Sequence, residues 1–99
     1  MKYRVFFAAE AQADLLELYE YIAERSGDIR ALAYIARLEQ WCASFDTFPQ
    51  RGTPRDDIRP GLRITGFERR ISVAFTVEDD VVTILRILYG GVELEDSLS

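Results

Sequence analysis

The chain has 99 residues, of which 48% are apolar and 12% aromatic, and it carries a formal net charge of −5. This length suits one domain with one hydrophobic core, and this composition excludes a disordered chain. The single cysteine excludes an intramolecular disulfide, and the lack of histidine removes the commonest general base and the commonest transition-metal ligand. We therefore expect one domain over residues 1–99 that uses neither a metal nor a cofactor.

The hydropathy pattern argues against a membrane location. No apolar run reaches the ~18 residues that a membrane-spanning helix needs, and the N-terminus lacks the apolar core of a signal peptide. The unpaired Cys42 fits a reducing compartment, and its apolar neighbours predict a buried, structural thiol. The sequence thus predicts a soluble, cytoplasmic protein.

The chain begins with the pattern of one strand followed by a helix. Residues Lys2 to Phe7 alternate in the manner of a half-buried strand. An apolar stripe then predicts a helix from about Ala9 to Arg25, and Gly27 can adopt the positive φ that ends a helix. This stripe consists of Ala11, Leu15, Leu18 and Ile22.

A second helix is predicted from Ile29 to about Phe48. Asp28 can cap its first free N–H groups, and Pro49 disfavours a helical conformation at Phe48. One apolar stripe comprises Ala31, Ile35, Leu38, Cys42 and Phe45, and a second comprises Tyr34, Leu38, Trp41, Phe45 and Phe48. This wide apolar face predicts packing on both the first helix and the sheet. The short break at Gly27-Asp28 predicts an antiparallel helical hairpin.

The second half of the chain reads as strands separated by turns. An irregular segment from Arg51 to Gly61 is followed by predicted strands at Leu62–Thr65, Arg69–Val77 and Val81–Tyr89, and the acidic tail from Val92 to Ser99 is expected to fray. The predicted turns are Gly66-Phe67 and Glu78-Asp79-Asp80. The order β-α-α-β-β-β predicts an α+β fold, in which an antiparallel sheet of an N-terminal strand and a C-terminal three-stranded meander carries the helical hairpin on one face.

Positive charge is concentrated in one segment of this acidic chain. Residues 1–48 carry a net charge of −3, residues 51–70 carry +3, and residues 71–99 carry −5. The arginines of the basic segment are Arg51, Arg55, Arg59, Arg63, Arg69 and Arg70. Arginine favours planar, bidentate contacts over loose charge neutralisation. Two interpretations remain open: the arginines pair with neighbouring acids, or they form a surface that binds anions or an acidic partner.

The last predicted strand suggests which sheet face is exposed. Strict alternation places Leu85 and Ile87 on one face, and Ile84, Arg86 and Leu88 on the other. Because an unpaired buried arginine is costly, we expect the Arg86 face to be uncovered and to expose Ile84 and Leu88. Exposed aliphatic side chains beside an arginine indicate a protein–protein surface, and the alternative is a sheet face covered by the chain's own tail.

Several short motifs resemble the RelE/ParE superfamily of bacterial toxins from type II toxin–antitoxin modules, and the ParE branch fits best. The motifs are Phe48-Pro49, Gly52, Arg59-Pro60-Gly61-Leu62-Arg63 and Ile87-Leu88-Tyr89-Gly90, and the helix segment Tyr21-Ile22-Ala23 also fits. The resemblance spans residues 3 to 95. The chain departs from the family pattern at Tyr89, where many members have histidine, and in the strand Ile71 to Val77, which lacks a common tyrosine.

The resemblance implies a toxin that acts by binding a protein, with DNA gyrase as its target, in the kind of module that serves plasmid stabilisation. It also implies a cognate, ParD-like antitoxin that neutralises the toxin in a hetero-oligomer, and it implies no direct DNA binding and no catalytic residues. We assign target binding to Arg59, Arg63, Arg69, Arg70 and Arg86. We assign antitoxin binding to the exposed Ile84 and Leu88.

The main alternative is a RelE-like, ribosome-dependent mRNA endoribonuclease that needs no metal. That chemistry requires a base, an acid and cations around one phosphate. The candidate set is Arg63, Glu68, Arg70, Arg86 and Tyr89, with Glu68 as base and Tyr89 as acid. The lack of histidine and the charge of −5 oppose it, as does the spacing of Arg86 and Tyr89, which strict alternation places on opposite faces. A second alternative is a non-toxic family member that serves as an antitoxin-binding module.

Overall fold

The structure is a computed structural model that describes residues 2–90, so the predictions for the acidic tail lie outside the described residues. Its elements are β1 (Arg4–Phe7), α1 (Ala9–Ser26), α2 (Asp28–Ala43), a 3₁₀ turn (Ser44–Asp46), β2 (Thr53–Pro54), β3 (Leu62–Phe67), β4 (Ile71–Glu78) and β5 (Val81–Tyr89). The predicted α+β class and the helical hairpin are confirmed, and the short strand β2 is an addition.

The five strands form one sheet in the order β1-β5-β4-β3-β2. Neighbours from β2 to β5 are antiparallel, whereas β1 pairs with β5 in parallel, with Arg4 opposite Val81 and Phe7 opposite Ile84. The prediction of an antiparallel sheet is therefore wrong for this pair. Parallel pairing needs a long crossover, and the two helices between β1 and the meander supply it.

The core lies between the helical hairpin and the sheet, as the apolar stripes predict. Ala11 of α1 and Leu38 and Cys42 of α2 are fully buried. Phe45 packs on Phe75 of β4 with ring centroids 4.8 Å apart. Burial raises the pKa of the Cys42 thiol to about 12, so this thiol stays protonated and inert, which confirms the predicted structural role.

Both boundaries of α2 differ from the prediction. The helix ends at Ala43 because the chain tightens into the 3₁₀ turn, where the Ser44 hydroxyl donates to the carbonyl of Trp41. Phe48 lies beyond this turn and is 67% exposed, so the second apolar stripe stops before it. Asp28 makes no capping hydrogen bond, and Gly27, with φ of +90°, separates the two helices.

The turn between β3 and β4 lies further along the chain than predicted. Phe67 stays in β3 opposite Ile71, since its ring packs on Tyr34 and Trp41 of α2 at centroid distances of 5.9 and 5.0 Å. The turn therefore spans residues 68–70, and Arg69 and Arg70 lie at the tip of a hairpin rather than in a strand.

A bulge in β5 overturns the predicted alternation. Ala74 lies opposite Arg86 and Phe75 lies opposite Ile84, so Leu85 has no partner. Because one extra residue reverses the faces, Ile84 and Ile87 both enter the main core, and Leu85 packs in a second cluster on the other side. The predicted exposure of Ile84 and Leu88 is wrong, since these residues are 0% and 6% exposed.

Candidate target-binding site

Strand β3 separates the arginines of the basic segment into two groups. Four of them precede or begin this strand, and Arg69 and Arg70 follow its end. The six residues of β3, at about 3.3 Å each, span roughly 20 Å, so the two groups lie near opposite ends of the strand. We call the segment 51–63 the loop end. We call the turn 68–70, together with the adjacent side chains of Tyr21, Arg25, Arg37 and Tyr89, the turn end.

Arginines at the loop end mostly hold the loop together. The Arg51 Nε donates to the carbonyl of Phe48 at 2.8 Å, and its guanidinium lies 4.4 Å from the centre of the Phe45 ring. Arg63 donates from Nε to the carbonyl of Arg51 at 2.9 Å. Arg55 forms a bidentate pair with Asp57 at 2.9 and 3.0 Å, which lowers the pKa of that carboxyl group. These three arginines fit the interpretation of pairing with neighbouring groups.

The backbone at the loop end is also fixed sterically. Gly52 has a φ of +76°, and a Cβ atom there would clash with the carbonyl oxygen of Ile64. Arg63 additionally donates from Nη2 to the carbonyl of Gly52 at 3.5 Å. Arg59 is the exception, because its exposed side chain forms no hydrogen bond or ion pair with another residue in the range 2–90.

The turn end has a strained backbone. Glu68 and Arg69 have φ of +48° and +68°, although neither is glycine. Left-handed backbone costs a non-glycine residue about 1–2 kcal/mol, and such strain clusters at functional sites. The Glu68 carboxylate accepts two hydrogen bonds from Arg37 of α2 at 3.2 Å each, and this pair raises the pKa of Arg37.

Aromatic side chains support the arginines of the turn end. Arg70 donates from Nη1 to the Tyr89 hydroxyl at 3.2 Å, and the rings of Tyr21 and Tyr89 lie 4.8 Å apart. A hydrogen bond between these two tyrosines, and then the Arg70 contact, lower the pKa of Tyr89, while the same tyrosine pair raises the pKa of Tyr21. The guanidinium of Arg25 lies 3.7 Å from the centre of the Tyr21 ring.

The helical hairpin adds arginines that the sequence patterns did not indicate. Arg25 lines one cavity of about 300 Å³ with Arg70, and Arg30 and Arg37 line an adjoining cavity of about 290 Å³. The two cavities share Ile22, Ser26 and Tyr34. No local sequence pattern indicates that these arginines lie close together, because their proximity depends on how the helical hairpin packs on the sheet.

Arg86 belongs to neither end. Its guanidinium forms a bidentate pair with Asp14 of α1 at 2.8 and 3.1 Å, and the same carboxylate accepts the N–H of Ile87 at 2.8 Å. The side chains of Arg86 and Asp14 are 26% and 10% exposed, and their contact raises the pKa of Arg86. Arg86 lies opposite Ala74 of the second cluster, but the premise that this arginine is unpaired is wrong, because Asp14 of α1 supplies a largely buried partner.

The five residues proposed for the nuclease alternative do not come together in one site. Of these five, only Arg70 and Tyr89 contact each other. Glu68 pairs with Arg37, Arg63 donates to the loop carbonyls, and Arg86 pairs with Asp14.

Within residues 2–90, no three carboxylate or thiol side chains are placed to share a metal ion. Neither helix in this range is both long and apolar enough to cross a membrane.

Comparison with known proteins identifies the family to which this chain belongs. The family model described as "ParE toxin of type II toxin-antitoxin system, parDE" matches residues 5–92, and the chain belongs to this family. It is 33% identical over 95 residues to Toxin ParE3 of Caulobacter vibrioides, a match that covers 96% of this chain and 94% of that protein. It also resembles a solved structure described as "Chromosomal ParDE TA system from P. aeruginosa", with a TM-score of 0.78, 24% identity and coverage of 90% and 97% of the two chains.

Proposed function

We propose that this ParE-family toxin acts in the bacterial cytoplasm by binding and inhibiting DNA gyrase, and that a cognate, ParD-like antitoxin neutralises it. The observation that carries the proposal is the turn end, where Arg69 and Arg70 project from a strained hairpin. Arginine and tyrosine dominate the energetics of many protein interfaces. Neither Arg69 nor Arg70 pairs with a carboxylate among residues 2–90, so both have donors available for a partner.

Binding fits this geometry better than catalysis does. Cleavage of RNA needs a base and an acid within hydrogen-bond reach of the same phosphate region. The proposed base, Glu68, accepts hydrogen bonds on both carboxylate oxygens from Arg37 on the helical side, and the proposed acid, Tyr89, lies beside Arg70. The net charge of −5 also opposes approach to ribosomal RNA.

One contact favours the ribosome-dependent nuclease as a second candidate. Tyr89 has a lowered pKa and touches Arg70, which is the arrangement of a hydroxyl acid beside a phosphate-binding cation. We give this candidate a lower rank because the described residues place no available base beside that pair.

The antitoxin is expected to cover apolar surface on the helical hairpin. Leu16 of α1 and Ile29 and Leu32 of α2 are 61%, 85% and 59% exposed. These residues replace Ile84 and Leu88 as proposed antitoxin contacts, because the latter two are buried. The relatives fit such a partner, since the similar solved structure is described as a ParDE system.

Two purified assays test the proposal side by side. The first measures supercoiling of relaxed plasmid by gyrase, and the second measures mRNA cleavage on programmed ribosomes. We expect inhibition of supercoiling, relief by the antitoxin, and no ribosomal cleavage. Tyr89→Phe is expected to retain the inhibition because it removes one hydroxyl and little packing.

The opposite pattern would contradict the proposal. Ribosomal cleavage that Tyr89→Phe abolishes would establish the nuclease instead. A folded wild-type protein that binds the antitoxin but is inert in both assays would identify the non-toxic binding module.

A further inference from the structure

A donor-rich cavity of about 300 Å³ lies between the end of α1 and the end of β5. It is lined by Leu18, Tyr21, Ile22, Arg25, Ser26, Tyr34, Arg70 and Tyr89. Two of these side chains are guanidinium cations, four carry hydroxyl groups, and none is a carboxylate. Such a cavity attracts an oxyanion, while its two aliphatic side chains provide an apolar wall.

The two arginines of this cavity are held in place before any ligand arrives. Arg25 lies over the Tyr21 ring and donates from Nη1 to the carbonyl of the same residue at 3.2 Å. Arg70 donates from Nη1 to the Tyr89 hydroxyl at 3.2 Å. A guanidinium has five N–H donors, so each arginine retains donors for a ligand. Fixing a side chain in advance reduces the entropy lost on binding.

Two features select a carboxylate from a protein over a nucleic-acid phosphate. The chain's charge of −5 repels a polyanion but tolerates a single acidic side chain at a local cationic site. The apolar wall of Leu18 and Ile22 suits the hydrocarbon of a neighbouring residue, which a phosphodiester backbone does not offer.

We propose that this cavity receives an acidic side chain of the cognate antitoxin, with an apolar neighbour of that side chain against Leu18 and Ile22. The inference rests on the proposed function and deepens it. Arg70 lines the cavity and also belongs to the proposed gyrase-binding surface. When the antitoxin occupies the cavity, Arg70 is therefore unavailable to gyrase. Neutralisation then results from direct competition for Arg70.

The test is a calorimetric titration of the full-length toxin with the antitoxin encoded by the adjacent reading frame. Arg25→Gln is expected to weaken binding by at least about tenfold, the usual effect of losing a charged hydrogen-bonding partner at an interface. The matched control is Arg4→Gln, which removes one positive charge beside Asp80 at the start of β1 and is expected to leave the affinity unchanged. Unfolding curves check that both variants retain the wild-type fold.

A double-mutant cycle then identifies the occupant. Each Asp or Glu of the antitoxin is changed to its amide, and one such change is expected to lose its effect in the Arg25→Gln background. Equal affinity of wild type and Arg25→Gln, or the absence of any coupled acidic residue, would overturn this inference while leaving the proposed function intact. An antitoxin that fails to bind the wild-type toxin would overturn both.

Small anions provide the remaining arm of the test. Titration of the toxin with inorganic phosphate and with adenosine monophosphate is expected to show no saturable binding in the low millimolar range. Saturable phosphate binding that Arg25→Gln removes would assign the cavity to a phosphate ligand and would overturn the inference.

Discussion

Arginine side chains have different roles at the two ends of β3. At the loop end, Arg51 and Arg63 donate to backbone carbonyls, and Arg55 is paired with Asp57. At the turn end, Arg25 and Arg70 contact tyrosine rings and hydroxyls. The loop-end arginines hold their own segment together, whereas Arg25 and Arg70 line a cavity that a partner can enter. A count of arginines along the sequence does not distinguish these uses.

The largest stability effect is expected where an arginine is tied most deeply into the domain. Asp14→Ala removes the carboxylate that pairs with Arg86 in a largely buried position, and it removes the acceptor for the Ile87 N–H. We expect the free energy of unfolding to fall by about 2 kcal/mol, somewhat less than for a fully buried pair, because Arg86 is partly solvated. Urea denaturation measures this change.

Asp57→Ala is the matched variant at the loop end. It also removes a bidentate carboxylate partner of an arginine, but Asp57 is exposed, so little change in the urea midpoint is expected. A similar loss of stability in both variants would mean that exposure does not decide which pairs hold the fold.

The strained turn predicts a conflict between stability and binding. Arg69→Gly relieves a positive φ that is costly for arginine, and we expect it to stabilise the protein by about 1 kcal/mol while weakening inhibition of gyrase. Arg69→Ala removes the same charge and keeps the strain, so it is the control for the backbone effect. If Arg69→Gly stabilised the toxin and left its inhibition intact, Arg69 would not belong to the gyrase-binding surface.

The smallest expected effect is spectroscopic. The hydrogen bond from Tyr21 and the contact with Arg70 lower the pKa of Tyr89, so the first phenol to ionise in an absorbance titration at alkaline pH is expected below the usual value of about 10. Tyr89→Phe is expected to remove this first step, and Arg70→Gln to move it to higher pH. A titration that is unchanged by both variants would show that the three side chains do not interact in solution.

Sequence periodicity predicted the elements of this fold but not how they meet. The stripe Ala11 to Ile22 and the strand around Val73 and Phe75 follow from local patterns, because burial on one face imposes a period of 3.6 or 2 residues. The bulge at Leu85 broke that period and reversed the predicted environment of Ile84. Its position depends on packing against β4 and has no residue-type signal in β5.

The candidate site was predicted only in part, for a related reason. Arg69, Arg70 and Tyr89 were identified from the sequence, but the first two were assigned to a strand rather than to a turn. Tyr21 and Arg25 were missed because their proximity to Tyr89 arises from the seating of α1 against the end of β5. Contacts between distant segments of this kind have no local pattern that single-sequence reasoning can detect.

The most direct test of the turn end as the target-binding surface is a gyrase supercoiling titration with two charge-matched double variants. Arg69→Gln with Arg70→Gln removes two positive charges from the turn end, and Arg55→Gln with Arg59→Gln removes two from the loop end. We predict a loss of inhibitory potency of about a hundredfold for the turn-end variant, at roughly tenfold per interface arginine, and no more than about twofold for the loop-end variant. Equal losses, or a larger loss for the loop-end variant with both proteins folded, would contradict the assignment of target binding to the turn end.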